Sequence, residues 1–526
     1  MPLDQSIVFD GAWRIISHQL PFKDFTLPYG LTPILIQTIF FHLFGINWLC
    51  YCFHAALINA LFGIAVFHFL LYFKAPLLLS FFYALLSCVI FYPPFGVPYV
   101  DQHSAFFAFI SVFMVIIIKR ITKYYFKIIL IFFSSFFLFL SFLSKPVLPF
   151  FIFGIIVICI LILFPYKQSL DLFFLFLLSS IIIFFIFTTS LFFSGIHFSY
   201  IFNNLFHSPL NLSKERFLFF LGSYPLSKLI NSIFYPNPLG QFSLHLYCYP
   251  LIYSTLAFFL LLIIHPKTRM MLNRDSNNLR EIILIIFLSV SLIIVCNLFT
   301  SLTLNQAENG LYFLFVSLGL SHLALIKMDT IFDQGKSELH KSFISLVFVF
   351  IALLDCYIFN HKVNQTRIVN DMIFQKTNIS SRVNLPNGLR FMIFDKPAKY
   401  TFTANDLKRT INFLKKDKAN FFLIGDSSII YGLTRRPSVN PVLWFHPGLT
   451  LPYPDSEAFS KYEFEVIQNI KKYRAKFLVI EGEMTWFNLS LANFKILPSL
   501  LEKESVENKK FGSFVLYRIN LSKIDH

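Results

Sequence analysis

Long apolar runs dominate the first 359 positions, where a soluble fold would show short alternating or one-faced patterns. Ten such runs lie near 47–72, 76–93, 102–118, 127–144, 147–164, 170–190, 249–265, 281–300, 309–327 and 342–359. A helix needs about 20 apolar residues to cross a hydrocarbon core, so these runs predict ten spans. An eleventh, LTPILIQTIFFHLFG at 31–45, is shorter and predicts a helix lying on the membrane surface. Past residue 360 the pattern changes. Apolar stretches of strand length appear at 389–394, 420–426, 476–482 and 513–519, with helical patterns near 404–416, 457–474 and 490–504 between them. Strands alternating with helices imply a small α/β domain. The expected architecture is a polytopic α-helical membrane protein of about 10 spans (1–359) with a C-terminal extracytoplasmic α/β domain (360–526).

The loops orient the spans. Lys119, Arg120, Lys123 and Lys127 cluster after the third run, Lys267, Arg269, Arg274 and Arg280 after the seventh, and Lys327, Lys336 and Lys341 after the ninth. An even number of spans separates these clusters, so all three fall on one side. Loops 94–101 and 301–308 lack Lys and Arg. The positive-inside rule then makes the basic side cytoplasmic and places 1–46, 191–248 and the tail outside. MPLDQSIVFDG has neither the basic start nor the apolar core of a signal peptide, so an outside N-terminus leads to the expectation that a preceding span is missing from this chain.

Composition agrees with this reading. Hydrophobic residues make up 56%, charged ones 14%, and 72 positions are Phe. Soluble domains carry about 25% charged residues. The net charge of +16 divides into 19 basic against 13 acidic residues before position 360 and 25 against 15 after it. No concentrated basic stripe results, which argues against a nucleic-acid partner. All seven cysteines fall within the apolar part, and the Cys50-x-Cys52 pair has no matching ligands, so they read as small buried hydrophobes.

Ionisable residues near a membrane interior are costly and therefore informative. On the outer side they are Asp10, Arg14, Lys23, Asp24, Asp101, His103, Lys145 and Glu308, with Asp355 near the end of the last span. Each has a plain structural reading. Asp10 and Asp101 are placed to cap helices, Lys145 to snorkel, and Glu308 sits in a polar loop. As a set, acids and a lysine from separate span ends suggest one cavity, since a base and a phosphate-binding cation would have to meet there.

The segment FDGAWRIISHQLPFKDFTLPYGLTPILIQTIFFHLFG at 9–45 resembles the first external loop of GT-C membrane glycosyltransferases, the protein-mannosyltransferase and aminoarabinose-transferase superfamily. Asp10 fits the leading acid. Pro21, Phe22, Asp24 and Phe25 fit the middle, with His18 or Gln19 where Gly is usual, and Pro28, Gly30 and Pro33 fit the turn loosely. YVDQHSAFFAFISVFMV at 99–115 resembles the family's acid ahead of a span, and LSKPVLPFF at 143–151 its lysine between later spans. The motifs cover 9–165, and FLIGDSSIIYGLTRRPSVNPVLWF at 422–445 resembles the tails of some bacterial members.

The resemblance implies an inverting transfer from a polyprenyl-phosphate-linked sugar donor to a glycan, lipid or protein acceptor outside a bacterial inner membrane, among membrane lipids. Asp10 would be the base. Lys145, with Arg14 second, would stabilise the departing phosphate. Asp101 would position the acceptor or join Asp10 in holding Mg²⁺ or Mn²⁺, no cofactor being certain. Asp24, His103 and Glu308 would line the substrate. In the tail, Asp426 and Ser427 of GDSS follow a strand as at some hydrolase nucleophiles, but His446 and His526 are the only tail histidines and neither is a convincing partner. Trp444, Tyr431 and Trp486 are candidate sugar platforms. The alternatives are a lipid-linked glycan polymerase or ligase, and a polytopic transporter or flippase.

Overall fold

The computed structural model describes residues 6–93, 96–211, 214, 248–264, 276–303, 311–332, 338–366, 387–389, 404–482, 489–501 and 509–523. The chain is mostly helical. Helices α1 (Ile7–Ile16) and α2 (Leu31–Phe44) lead into α3 (Trp48–Tyr72), α4 (Leu77–Phe91), α5 (Val100–Ile117), α6 (Tyr124–Ser144), α7 (Val147–Leu163) and α8 (Tyr166–Phe193). Then come α9 (Cys248–Ile264), α10 (Ser276–Thr303), α11 (Leu314–Phe332) and α12 (Glu338–Thr366). Among the described residues six helices are long and apolar enough to cross a membrane: 48–72, 100–120, 124–144, 166–193, 279–300 and 341–360. Three other expected spans are shorter apolar helices, α4, α7 and α9, of 15, 17 and 17 residues. The ninth run becomes α11, with Lys327 and Asp329 in its last turns. A helix forms within 31–45 as expected, as α2.

Small polar side chains hold the bundle where apolar ones cannot distinguish a neighbour from lipid. Ser111 and Ser134 exchange hydroxyl-to-carbonyl bonds of 2.8 and 2.9 Å between α5 and α6. Seven residues away on each helix, Ser141 donates to the Ser104 carbonyl at 2.8 Å. Ser289 donates to the Ser317 carbonyl at 2.7 Å between α10 and α11. Asp355 accepts the Cys248 backbone N–H at 2.7 Å, satisfying one of the open donors at the start of α9.

In the tail, β1 (Asn420–Ile424) and β2 (Ala475–Glu481) are parallel, and β3 (Lys509–Phe511) and β4 (Phe514–Arg518) form a hairpin against β2, giving the order β1-β2-β4-β3. Helices α13 (Ala404–Asp417), α14 (Ile429–Thr434) and α15 (Glu457–Tyr473) surround the sheet. Period-two alternation divides the core. Phe422, Ile424, Leu478 and Ile480 pack with Phe459, Val466 and Ile470 of α15. Phe421, Leu423, Val479 and Leu516 face the other way, into a core shared with Phe9, Trp13, Phe25 and Tyr51 from the start of the chain.

Two expectations fail locally. The helix expected at 490–504 is replaced by short 3-10 turns at Leu491–Asn493 and Leu497–Leu500. Pro498 interrupts the stretch, and the buried Glu463 carboxylate takes the Lys495, Ile496 and Leu497 N–H groups at 3.1, 2.6 and 2.8 Å. The strand expected at 389–394 lies outside the described residues except Leu389, which sits in a 3-10 turn.

Candidate functional site

The serine ladder sets the register of α5 against α6. Ser104 lies opposite Ser141, and the helices run antiparallel. Stepping four residues on from Ser141 therefore reaches the level three residues before Ser104. There Lys145 Nζ meets Asp101 Oδ1 at 2.7 Å. Ser104 Oγ also donates to the Lys145 carbonyl at 3.1 Å, pinning the backbone after α6 ends. Lys145 Nζ lies 5.0 Å from the Phe299 ring centroid, a favourable cation–π distance. The Asp101 side chain is fully buried, and that of Lys145 is 10% exposed. Asp101 is not the cap expected from sequence, because α5 begins at Val100 and Tyr99 occupies that position.

Two residues after Asp101, His103 is fully buried and its Nε2 lies 2.9 Å from Nε2 of His54 on α3. His103 Nδ1 lies 2.8 Å from the Tyr99 carbonyl, which only accepts, so Nδ1 carries a proton. A neutral His103 then accepts at Nε2, and His54 must donate there. His54 Nδ1 lies 2.9 Å from Gln37 Oε1 on α2, an oxygen that only accepts, so a neutral His54 that donates at Nε2 requires the Gln37 amide to be turned with its nitrogen toward Nδ1. The result is a directed chain from Gln37 through His54 and His103 to Tyr99. Sequence reading singled out His103 but not His54 or Gln37. Their one signal was a polar side chain inside an otherwise apolar run.

Asp10 and Arg14 are placed elsewhere. Asp10 stands inside α1, past the cap position, one turn before Arg14 on the same face. Arg14 Nε donates to Asp10 Oδ2 at 2.8 Å, and its terminal nitrogens donate to the Asn440 and Val442 carbonyls at 2.6 and 3.1 Å. Ser438 Oγ donates to Asp10 Oδ1 at 2.7 Å. Gln19 donates to the Ser438 carbonyl and to the Tyr473 hydroxyl at 2.8 and 2.9 Å, and Trp13 Nε1 donates to the Arg436 carbonyl at 2.7 Å. Thr26 N–H adds a 2.9 Å bond to the Pro441 carbonyl. Gly432 permits the close approach of α14, since a Cβ there would sit 2.9 Å from the Phe9 ring and 3.2 Å from that of Trp13. These contacts form a clasp between the first loop and residues 436–442. Asp10 is fully buried within it. Burial pushes its carboxyl above the ordinary range, against the opposing pull of Arg14 and Ser438.

The same loop also rests on the bundle. Gly30, at φ +93°, donates its N–H to the Leu143 and Ser144 carbonyls at 3.1 and 3.0 Å. The clasp, α2 and the Asp101–Lys145 pair therefore share one end of the bundle. Asp101 is paired with Lys145, and Asp10 with Arg14. Asp24 lies at the rim, accepting from Leu20 N–H at 2.7 Å and from Lys472 at 3.3 Å, and Lys23 is exposed. Glu308 and Trp486 lie outside the described residues.

The tail candidates are structural as placed. Trp444 is buried with its ring 5.4 Å from Tyr29, and Tyr431 is buried with its hydroxyl accepting from Leu423 N–H at 2.9 Å, so neither offers a face to a sugar. Ser427 donates its hydroxyl and its N–H to the two Glu481 oxygens, both at 2.8 Å, tying the end of β1 to β2. His446 Nδ1 instead faces the Pro447 carbonyl at 2.9 Å. Each of the two acids considered for a divalent ion is matched to a protein cation. Among the described residues no three His, Cys, Asp or Glu side chains gather into a metal-ligating group. Compared with known protein families and with the curated proteins, the chain matches none.

Proposed function

We propose that the protein is an integral-membrane glycosyltransferase that moves a sugar from a polyprenyl-phosphate donor to an acceptor on the outer side of a bacterial inner membrane. In this reading the remaining apolar helices complete a ten-span bundle, and the tail lies outside the cytoplasm. One observation carries the reading. Lys145 and Asp101, from separate helix ends, are two residues singled out by the resemblance to GT-C enzymes, and they lie in contact.

Their arrangement suggests an exchange of partners. The donor phosphate is a diester with the same single charge as a carboxylate, but charge builds on it as the glycosyl bond breaks, so it competes for Lys145 Nζ most strongly in the transition state. Once Lys145 turns to phosphate, Asp101 is released as a base. The acceptor oxygen attacks the anomeric carbon and its proton passes to Asp101. The carbon–oxygen bond to phosphate breaks, its electron pair stays on the phosphate oxygen beside Lys145, and the configuration inverts. In this reading Asp101 replaces Asp10, the sequence-based choice, as the base, since Asp10 is held by Arg14 and Ser438 in the clasp.

The test is release of sugar from radiolabelled polyprenyl-phosphate hexoses and pentoses by the purified protein. Wild type should turn over a donor. Asp101→Asn should lose about 10²-fold or more in turnover, the lower bound for a general base. Lys145→Gln should lose a comparable amount. Full activity in either variant would remove the mechanism, and no turnover of any donor would favour the transporter or ligase alternatives.

A further inference from the structure

The opposite end of the bundle carries a second feature. Between α3 and α5 runs a cavity of about 650 Å³, lined by Leu61, Ile64 and His68 on one side and by Ile110 and Phe113 on the other, with Arg120 at its end. It opens onto the lipid-facing surface, where Leu61 and Ile64 are 40% and 55% exposed. The Arg120 guanidinium covers the Tyr72 ring at 3.9 Å and donates to the Tyr72 carbonyl. His68 is exposed on the same face of α3 and makes no hydrogen bond with any described residue.

Three observations identify an occupant. The lining from Leu61 to Tyr72, apolar apart from His68 and the Tyr72 hydroxyl, covers eleven residue steps. At 1.5 Å per residue that is about 16 Å, close to half of a ~30 Å hydrocarbon core. The groove is thus one leaflet deep. Its end bears the Arg120 cation, on the side of the bundle that also carries Lys119, Lys123 and Lys127, of which Lys119 and Lys127 turn toward Leu163 and Phe164. The acid nearest this end, Glu281 beside Tyr72, is itself engaged by Lys327 at 2.6 Å. We propose that the groove holds an acyl chain of an anionic phospholipid from the leaflet bordering the basic loops, with its phosphate accepting hydrogen bonds from Arg120 and His68. Basic pockets between membrane helices select anionic headgroups by this combination of charge and donors. The proposal does not depend on the transfer reaction, because the groove and the Asp101–Lys145 pair occupy opposite ends of α5.

Native mass spectrometry of the purified protein, exchanged into micelles with equimolar phosphatidylglycerol and phosphatidylcholine, tests it. Wild type should retain the anionic lipid over the zwitterionic one by about fivefold for each cation engaged. His68→Ala/Arg120→Gln should bring that ratio close to one while keeping the wild-type melting temperature. Leu61→Trp, which fills the apolar part from an exposed position, should lower retention of both lipids. An undiscriminating wild type, an unchanged ratio in the double variant, or full retention in Leu61→Trp would overturn the proposal. So would displacement of phosphatidylglycerol by equimolar polyprenyl phosphate, which would make the groove a site for the donor lipid.

Discussion

Arg14→Met is the most informative single change in this protein. The Arg14 side chain is 1% exposed, and Asp10 beneath it is fully buried. Removing the guanidinium takes away the Nε bond to Asp10 and strands the Asn440 and Val442 carbonyls. Asp10 then keeps only the Ser438 hydroxyl against the cost of a buried charge. Breaking one half of a buried ion pair costs about 3–5 kcal/mol. At about 1.4 kcal/mol per factor of ten, the clasp should open about 10²- to 4 × 10³-fold more often. Replacing both partners with apolar side chains of similar size should restore the part of the loss due to the lone charge, while the Asn440 and Val442 carbonyls stay without Arg14. The assay is trypsin protection of the tail in detergent, with thermal melting beside it. Wild type should resist cleavage, Arg14→Met should be cut readily, and Asp10→Leu/Arg14→Met should recover in part. If Arg14→Met were as protected as wild type, or the double variant as open as the single one, the clasp would not rest on this pair.

Four further outcomes are expected. Because the folded state raises the Asp10 pKa, it binds that proton more readily than the unfolded chain does. The stability of the clasp should therefore fall as pH rises from the ordinary carboxylate range through the raised value. Asp10→Asn should flatten that slope in pH-dependent melting, and a slope of opposite sign would refute the reasoning. Glu463→Ala leaves three backbone N–H groups without their acceptor and should cost about 3 kcal/mol or more in tail stability, measured by denaturant melting. Ser134→Ala removes one rung between α5 and α6 and should cost about 0.6 kcal/mol, with about 1.7 as a ceiling, in a thermal-shift measurement. His54→Ala and His103→Ala should be non-additive, with a coupling of about 0.5–3 kcal/mol in a double-mutant cycle, since the rings share one hydrogen bond.

What could be read from sequence follows the range of each interaction. Apolar runs and strand-length patterns report local burial, so the apolar helices and three of the four strands were legible. The sequence led to the broader expectation that acids and Lys145 from separate helix ends share one cavity, and of that set Asp101 and Lys145 are in contact. The clasp was not legible. Asp10 reads as a catalytic acid or a cap until Ser438 and the 440–442 carbonyls are placed beside it, and nothing local to residue 10 announces them. The same holds for the buried His54, whose donor role is decided by Tyr99 and His103 on another helix. In the tail, 490–504 has a helical pattern, but Glu463 captures the N–H groups of a non-helical path.

The clasp also orders events in time. Arg14 and its acceptor Asn440 are separated by 426 residues. At a synthesis rate of about 5–20 residues per second, Arg14 exists for roughly 20–85 s before Asn440 has been made. Throughout that interval Asp10, Arg14, Trp13 and Gln19 have no partner segment to meet. Helix α1 must spend the wait at the membrane surface or on a chaperone, while the helices between insert one after another. The tail then closes over a surface assembled long before it, and closure becomes a checkpoint that only a chain extended past residue 442 can pass. A ribosome-stalled chain ending before residue 436 should accordingly expose α1 to protease, whereas one extending beyond the hairpin should protect it.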